Sequence, residues 1–412
     1  MMNNNELKTL IRSQKPNHTL DQKFYTDDDI FELDLKNIFS KQWVFVGHVT
    51  RIPNQGDYFL FEIGNESIIL IRGKDNNIYA HYNVCRHRGS KICLEDCGNA
   101  KLLICPYHAW SYNLDGSIRS ARLMNNDFDP KDWKLNSCNV NIFEGLIFIN
   151  LSDNPSSFDE FISPTKNFIE LHGLGNAKIA HRAMYPTNGN WKLTLDNFHE
   201  CYHCQPSHPE YCTVHDSEYI IAYGAGSGTG PFSEKFNKIL INWNEKAKKL
   251  GHFVGEYSET EFNQFSRSAE RTPLKEGKFN ETKEGKPIAK LMGNFKDYDC
   301  GYTSVGTSPF NSLLMSNDFA TLFTFIPKST LETEVELMWL VHKDAQEGKD
   351  YNLKDMIWMW DETTVADKRI IENNQKGVNS RKYSPGPLSK MEKGVEKFKN
   401  WYLKHLDNAL NV

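Results

Sequence analysis

Two short stretches of this chain place a cysteine beside a histidine, and together they limit what the surrounding sequence can fold into. Residues 85–89 read Cys-Arg-His-Arg-Gly and residues 105–108 read Cys-Pro-Tyr-His. Each offers one soft thiolate and one imidazole. The C-x-H spacing needs a loop, and β-rich runs flank both loops. A C-x-H…C-x2-H set suits a [2Fe–2S] cluster in which Cys85 and Cys105 hold one iron and His87 and His108 the other. Neutral imidazoles replace anionic thiolates there, so the reduced state is less disfavoured and the potential rises. The competing reading is a Cys2His2 zinc site, but zinc fingers pair cysteine with cysteine and histidine with histidine at close spacing.

The flanking sequence predicts short strands. WVFVGHV, YFLFEI, SIILIRG and NIYAHYNV, then KLLICPYHAWSYNLDGSI and VNIFEGLIFINL, are separated by Pro, Gly and Asn turns. They predict a small all-β unit over 43–155. Before it, 1–42 reads as helical in two pieces. The stretch 27–43 has acidic residues at its start and apolar Ile30, Phe31, Leu33, Leu35, Ile38 and Phe39. After a boundary near 151–157, the region 156–412 mixes helices and longer strands. A helix is expected over 190–204, a β-hairpin over 321–342 and a long helix over 355–378. The polar stretch 223–300 reads as surface loops. Its YGAGSGTG run, 223–230, satisfies G-x-G-x-x-G in no frame and is rejected as a dinucleotide fingerprint.

A second cluster lies at 197–209, Asn-Phe-His-Glu-Cys-Tyr-His-Cys-Gln-Pro-Ser-His-Pro. On a helix, Asn197, Glu200 and His203 share one face. Pro206 can end that helix and let His208 turn back toward the same metal. Two histidines and one carboxylate form the facial triad of non-haem iron oxygenases. The carboxylate must come from elsewhere, and the 355–378 helix offers Asp361, Glu362, Asp367 and Glu372. Cys201 and Cys204 are C-x2-C, so a second zinc site is an alternative. His199 and His215 do not fit the triad pattern.

The wording C-R-H-R-G…C-P-Y-H-A-W-x-Y-x-x-D-G resembles the Rieske domain of ring-hydroxylating oxygenases. The respiratory Rieske proteins add a disulfide at positions that are Ser90 and Tyr107 here, so the resemblance is to the oxygenase class. Cys93 and Cys97 match no ligand position of the family and are read as structural. The segment 200–208 is similar to the family motif D/E-x-x-H-x4-H, which makes His203 and His208 iron ligands. A-D-K-R-I-I-E-N-N-Q-K-G-V is similar to D-x4-E-x2-Q-x-G, which makes Asp367 the third ligand, with Asp361 second. Glu200 matches an acidic residue that bonds an iron-ligating histidine and, across a subunit boundary, a Rieske histidine; Asn197 matches an asparagine near the iron. These would be His203 and the partner subunit's His108.

The resemblance implies an α+β fold, with an all-β Rieske domain inserted near the N-terminus of a helix-grip (START-like) catalytic domain built on an antiparallel sheet. It implies one [2Fe–2S] cluster and one mononuclear Fe(II) per chain, a separate NAD(P)H-dependent reductase with or without a ferredoxin, and a head-to-tail homotrimer. The stretches 360–363 and 378–392 look most like the branch that oxidises betaines and other quaternary ammonium compounds, by N-demethylation or C–N cleavage. The alternatives are an aromatic acid hydroxylase or dioxygenase, a Rieske electron carrier without oxygenase chemistry, and a metal-dependent hydrolase. A net charge of −5 gives no basic field for nucleic acid, and no apolar run is long enough to span a membrane. The polar start MMNNNELKTLIRSQKP lacks a signal-peptide core. The expected location is therefore the cytoplasm, with cysteines reduced or bound to metal.

Overall fold

The computed structural model describes residues 4–224, 234–259 and 264–410. The chain divides into two compact units: Ser40–Ser156, and Met1–Phe39 together with Ser157–Val412.

The smaller unit is built of antiparallel strands. Four of them run in the order Ile78–Tyr82, Glu66–Arg72, Asp57–Ile63, Cys97–Asn99. Ile68, Ile69, Leu70 and Ile71 are all buried, so the second of these strands is apolar on both faces. Its neighbour Asp57–Ile63 alternates buried Phe59, Phe61 and Ile63 with partly exposed residues, as a half-buried strand should. A second sheet joins Val44–His48, Leu146–Asn150 and Asn139–Phe143, and a third holds Leu103–Ile104, Ser111–Tyr112 and Ile118–Ser120. Cys85 and Cys105 close one core with Ile69, Ile71, Trp110 and Tyr112.

The larger unit carries a seven-stranded antiparallel sheet. The order is Ala177–Thr187, Glu332–His342, Phe319–Ser329, Asn311–Met315, Gly301–Gly306, Ser268–Pro273, Glu256–Ser258. The expected hairpin forms its second and third strands, paired through Thr321 opposite Trp339. The long helix is Leu353–Val378, capped by the Asn352 side chain accepting from the Asp355 N–H. It lies close against the first strand and the turn that follows. Tyr185 Oη donates to Asp361 Oδ1 at 2.5 Å, and the Asn190 N–H donates to Gln375 Oε1 at 2.8 Å. Gly189 permits that approach, since a Cβ there would sit 2.7 Å from the Ile371 methyl. Among the described residues, no helix is long and apolar enough to cross a membrane.

Three expectations need correction. The helix expected over 27–43 is shorter, Asp28–Asn37: Asp27 caps its start by accepting from the N–H groups of Asp29 and Ile30, and a separate tight turn, Phe39–Lys41, follows its end. The helix expected over 190–204 stops at Phe198. Among its described residues, the stretch 223–300 is not wholly surface loop. It supplies the helix Glu234–Lys249, two strands of the sheet and the buried run Asn280, Glu281, Thr282. The helix buries only Phe236, Trp243 and Ala247, so a narrow apolar stripe is masked by lysines. The glycine-rich run lies outside the described residues from Ala225 onward.

A buried ion pair ties the helix Asp28–Asn37 to the helix Trp191–Phe198 of the same unit. Lys192 Nζ bonds Asp34 Oδ2, and both side chains are fully buried. Asp34 also accepts from Trp191 Nε1 at 3.0 Å and from Tyr402 Oη at 2.8 Å. Removing one partner leaves the other charge buried and unpaired. Lys192→Met is therefore expected to cost about 3–5 kcal/mol, read as a lower denaturant midpoint with unchanged slope. A loss under about 1 kcal/mol would show that the pair is not closed in solution.

Candidate metal centres

The two Cys–His loops of the smaller unit are built alike. The Cys85 N–H donates to the Ser90 carbonyl at 2.9 Å, and the Cys105 N–H donates to the Trp110 carbonyl at 2.8 Å. Four residues after each cysteine the chain turns through a positive φ, +77° at Gly89 and +59° at Ala109. The glycine announces its turn in the sequence; the alanine does not. The loops bring the rings of His87 and His108 to 4.7 Å between centroids, nearly edge to face. Trp110 stacks flat on His87 at 4.8 Å. Cys85 and Cys105 are buried, whereas His108 is exposed. Two adjacent buried thiols and two facing imidazoles are the donor set a [2Fe–2S] cluster with mixed ligands requires.

Tyr112, the second tyrosine of the C-P-Y-H-A-W-x-Y motif, reaches the cluster loop without being a ligand. Its hydroxyl lies 3.3 Å from Cys85 Sγ and accepts from the Arg86 N–H at 3.1 Å. A polar partner on a ligating sulfur is one of the levers on a cluster's potential. Cys93 packs in the core, where burial pushes its thiol up to about 11. Cys97 is exposed on an edge strand.

In the larger unit, ligand atoms of His203, His208 and Asp367 all lie within 4.8 Å of one another. Asp367 Oδ1 is 2.9 Å from His208 Nε2 and 3.3 Å from His203 Nε2. Asn197 Nδ2 stands 3.5 Å from His203 Nε2. Asp361, the second candidate, is instead engaged by Tyr185. His199 is half-buried beside Phe398 and His215 lies under Tyr211, both outside the group.

The route by which these residues meet differs from the one expected. The helix Trp191–Phe198 ends with His199 as its C-cap, well before Pro206. Glu200 then folds over the next turn, its Oε2 accepting from the N–H groups of Tyr202 and His203. That capping turn, not a shared helix face, puts Glu200 Oε1 at 2.5 Å from His203 Nδ1. Pro206 sits inside a short helix, Cys204–Ser207, and His208 follows as its cap. The same turn joins Cys201 and Cys204 in a disulfide, with Cα atoms 4.9 Å apart. This replaces both the expectation of reduced cysteines and the zinc alternative for this pair.

Each histidine has its own outer carboxylate. Glu200 serves His203; Glu210 Oε1 lies 3.3 Å from His208 Nδ1 and accepts from Thr363 Oγ1 at 3.2 Å. Glu210 was not anticipated, although it stands two residues after His208. Thr363 and Asp367 are one helical turn apart and so face the site together. Glu200 bonds Nδ1 of His203, and both histidines turn Nε2 toward Asp367, the nitrogen a metal would take. Burial opposes a charged imidazole, but the bonds to Asp367 and Glu200 outweigh it and lift His203 to about 10. Burial raises Asp367, and the two histidines outweigh it and hold the carboxyl below its usual value. The site therefore favours a cation, and a divalent metal would displace the proton.

Around the triad the pocket wall is aromatic: Phe198, Tyr211, Tyr219, Tyr302 and Trp360, with Leu314. Its charged members are acids and histidines; among the described residues no Lys or Arg lines it.

Comparison with known proteins places these features. Residues 42–142 match the Rieske [2Fe-2S] domain, and residues 174–408 match the catalytic domain of the ring hydroxylating alpha subunit. The chain is 36% identical over 405 residues to the glycine betaine monooxygenase oxygenase subunit of Pseudomonas aeruginosa, covering 97% of this chain and 92% of that protein. It is 39% identical over 201 residues to the carnitine monooxygenase oxygenase subunit of Escherichia coli, covering 47% of this chain and 53% of that one. In fold it is similar to a solved quaternary ammonium Rieske monooxygenase, with a TM-score of 0.72 at 23% identity over 96% of this chain and 97% of the other. It is also similar to naphthalene 1,2-dioxygenase from Rhodococcus sp., with a TM-score of 0.64 at 18% identity over 98% and 99%.

Proposed function

The chain belongs to the Rieske ring-hydroxylating oxygenase alpha-subunit family, and on that premise we propose that it oxidises an N-methyl group of a quaternary ammonium compound. It is a mononuclear non-haem iron oxygenase with a Rieske cluster. Cys85, His87, Cys105 and His108 would hold the cluster, and His203, His208 and Asp367 the iron. When bound, the cluster supplies single electrons and the iron activates dioxygen. The electron-carrier and hydrolase alternatives do not account for a catalytic domain of this family.

The observation that carries the substrate reading is the wall of Tyr211, Tyr219, Tyr302 and Trp360 beside the triad. Aromatic faces attract a desolvated cation, by about 2 kcal/mol in the best cases. The acids among them, Glu200 and Asp367, add negative potential, and no Lys or Arg among the described residues opposes it. Phe198 and Leu314 keep water from the bound methyl group, and Ser312 and Thr363 offer hydroxyls to the polar end of a substrate. The relatives that act on glycine betaine and carnitine support the same class. The reaction balances with one dioxygen, an electron pair and a pair of protons. One oxygen atom enters a methyl C–H bond, the other leaves as water, and the carbinolamine breaks its C–N bond to release formaldehyde and the demethylated amine.

Glu200 has a second expected role. The chain is proposed to form a head-to-tail homotrimer, in which Glu200 links His203 to the partner subunit's His108. The exposure of His108 and the direct bond from Glu200 to His203 support this. So does the solved quaternary ammonium monooxygenase, for which inter-subunit electron transfer has been described. Electrons would reach the cluster from a separate NAD(P)H-dependent reductase, with or without a ferredoxin.

With a surrogate reductase under oxygen, formaldehyde is expected from glycine betaine, carnitine or choline and not from benzoate-type acids. Hydroxylation of the aromatic acids, with no formaldehyde from any methylated amine, would overturn the substrate reading.

A further inference from the structure

Glu281 comes from the stretch whose sequence reads as surface loop, yet it is fully buried. Its two oxygens are shared between two walls of the pocket. Oε1 accepts from His215 Nε2 at 3.0 Å, and Oε2 accepts from Trp360 Nε1 at 3.2 Å. His215 is itself a hub. It stacks on Tyr211 at 4.0 Å and on Tyr219 at 5.7 Å, and meets Tyr302 edge-on at 4.9 Å. One carboxylate thus fixes Trp360 directly and three tyrosines through a single imidazole. Glu281 does not line the pocket itself, so it touches no bound ligand.

We propose that Glu281 is the positioning residue that gives this pocket its preference for a cationic head group. The inference rests on the quaternary ammonium reading above and names the residue that enforces it. Two physical effects run in the same direction. An indole that donates its N–H to a carboxylate is richer in electron density on its face, which strengthens its attraction for a cation. A negative charge one ring behind the ligand, in a buried setting, is screened far less than it would be in water. Among the described residues no Lys or Arg forms an ion pair with Glu281; its partners are the ring N–H groups of His215 and Trp360. Two donors leave part of the carboxylate's accepting capacity unused, and the pocket side is where a positive charge would lie.

The test compares two ligands that differ only in charge at the head: glycine betaine and its carbon isostere 3,3-dimethylbutanoate. Dissociation constants are measured on the metal-loaded protein and on Glu281→Gln, which keeps the shape and one acceptor but not the charge. Glycine betaine is expected to bind about tenfold more weakly to the variant, with a matching rise in KM and little change in kcat. The isostere is expected to change by less than about twofold, within the scatter of such measurements. Glu281→Asp, which keeps the charge, is expected to retain the preference for the cation. Equal weakening of both ligands would reduce Glu281 to a packing role and overturn the proposal, as would no weakening of either. Wild-type protein that fails to prefer glycine betaine would overturn the substrate reading first, and this inference with it. Wild-type preference that survives unchanged in Glu281→Gln would overturn this inference alone.

Discussion

Asp367→Ala is expected to keep its [2Fe–2S] cluster, lose the mononuclear iron and release no formaldehyde. The reason is charge as much as geometry. Asp367 Oδ1 is the point on which His203 and His208 converge, at 3.3 and 2.9 Å, and the carboxylate is nearly buried. Without it, two neutral imidazoles remain to hold a divalent cation in a poorly solvated pocket, and Glu200 and Glu210 are turned to the far nitrogens. Metal analysis should find iron at the level of the cluster alone, with the reduced cluster's EPR signal intact. Asp361→Ala is the control. Asp361 sits on the same helix but is engaged by Tyr185, so that variant should keep its iron. Full iron and turnover in Asp367→Ala, or loss of iron in Asp361→Ala instead, would mean that the third ligand is wrongly assigned.

Glu200→Gln separates the two metals without removing either. Gln keeps one acceptor oxygen, which can serve the turn N–H groups that Glu200 caps or His203 Nδ1 but not both. It loses the charge that fixes the histidine and that is proposed to reach the partner subunit's His108. Both metals should load and the reductase should still reduce the cluster. Product formation should fall by roughly 10–100-fold. Rapid mixing of the reduced variant with substrate and oxygen should leave the cluster reduced over the time in which the wild type reoxidises. Reoxidation at wild-type speed would remove Glu200 from the electron path and leave it a capping residue.

The cluster loops were legible because every donor lies within a few residues of its partner and the loop geometry is local. The histidines of the second site were legible for the same reason. Asp367 is a long-range partner, reachable from the sequence only through resemblance to a family motif. What escaped reading has a common physical cause, the override of local pattern by tertiary contact. N-W-K-L-T-L-D-N-F-H-E-C-Y-H-C contains no glycine or proline, so nothing in it announces a break after Phe198. The break is sustained by Glu200 capping the next turn and by Gly394, whose missing side chain leaves room for the His199 carbonyl. Glu281 was unreadable for a related reason. A single buried acid inside a Lys- and Glu-rich run looks solvated until His215 and Trp360 are seen to surround it. The all-β unit and the long hairpin of the larger sheet, by contrast, carry their periodicity over whole strands, and the structure holds strands where those runs fall.

The most direct test of the account is a single turnover. Protein with both metals loaded, the cluster reduced and the mononuclear iron ferrous, so that one electron from each makes up the pair, is freed of reductant and mixed with oxygen and each of glycine betaine, carnitine and choline. For at least one of them the account expects cluster reoxidation to be accompanied by formaldehyde in amounts comparable to the mononuclear iron, and expects neither in Asp367→Ala. Reoxidation of the cluster with no formaldehyde from any of the three would contradict it.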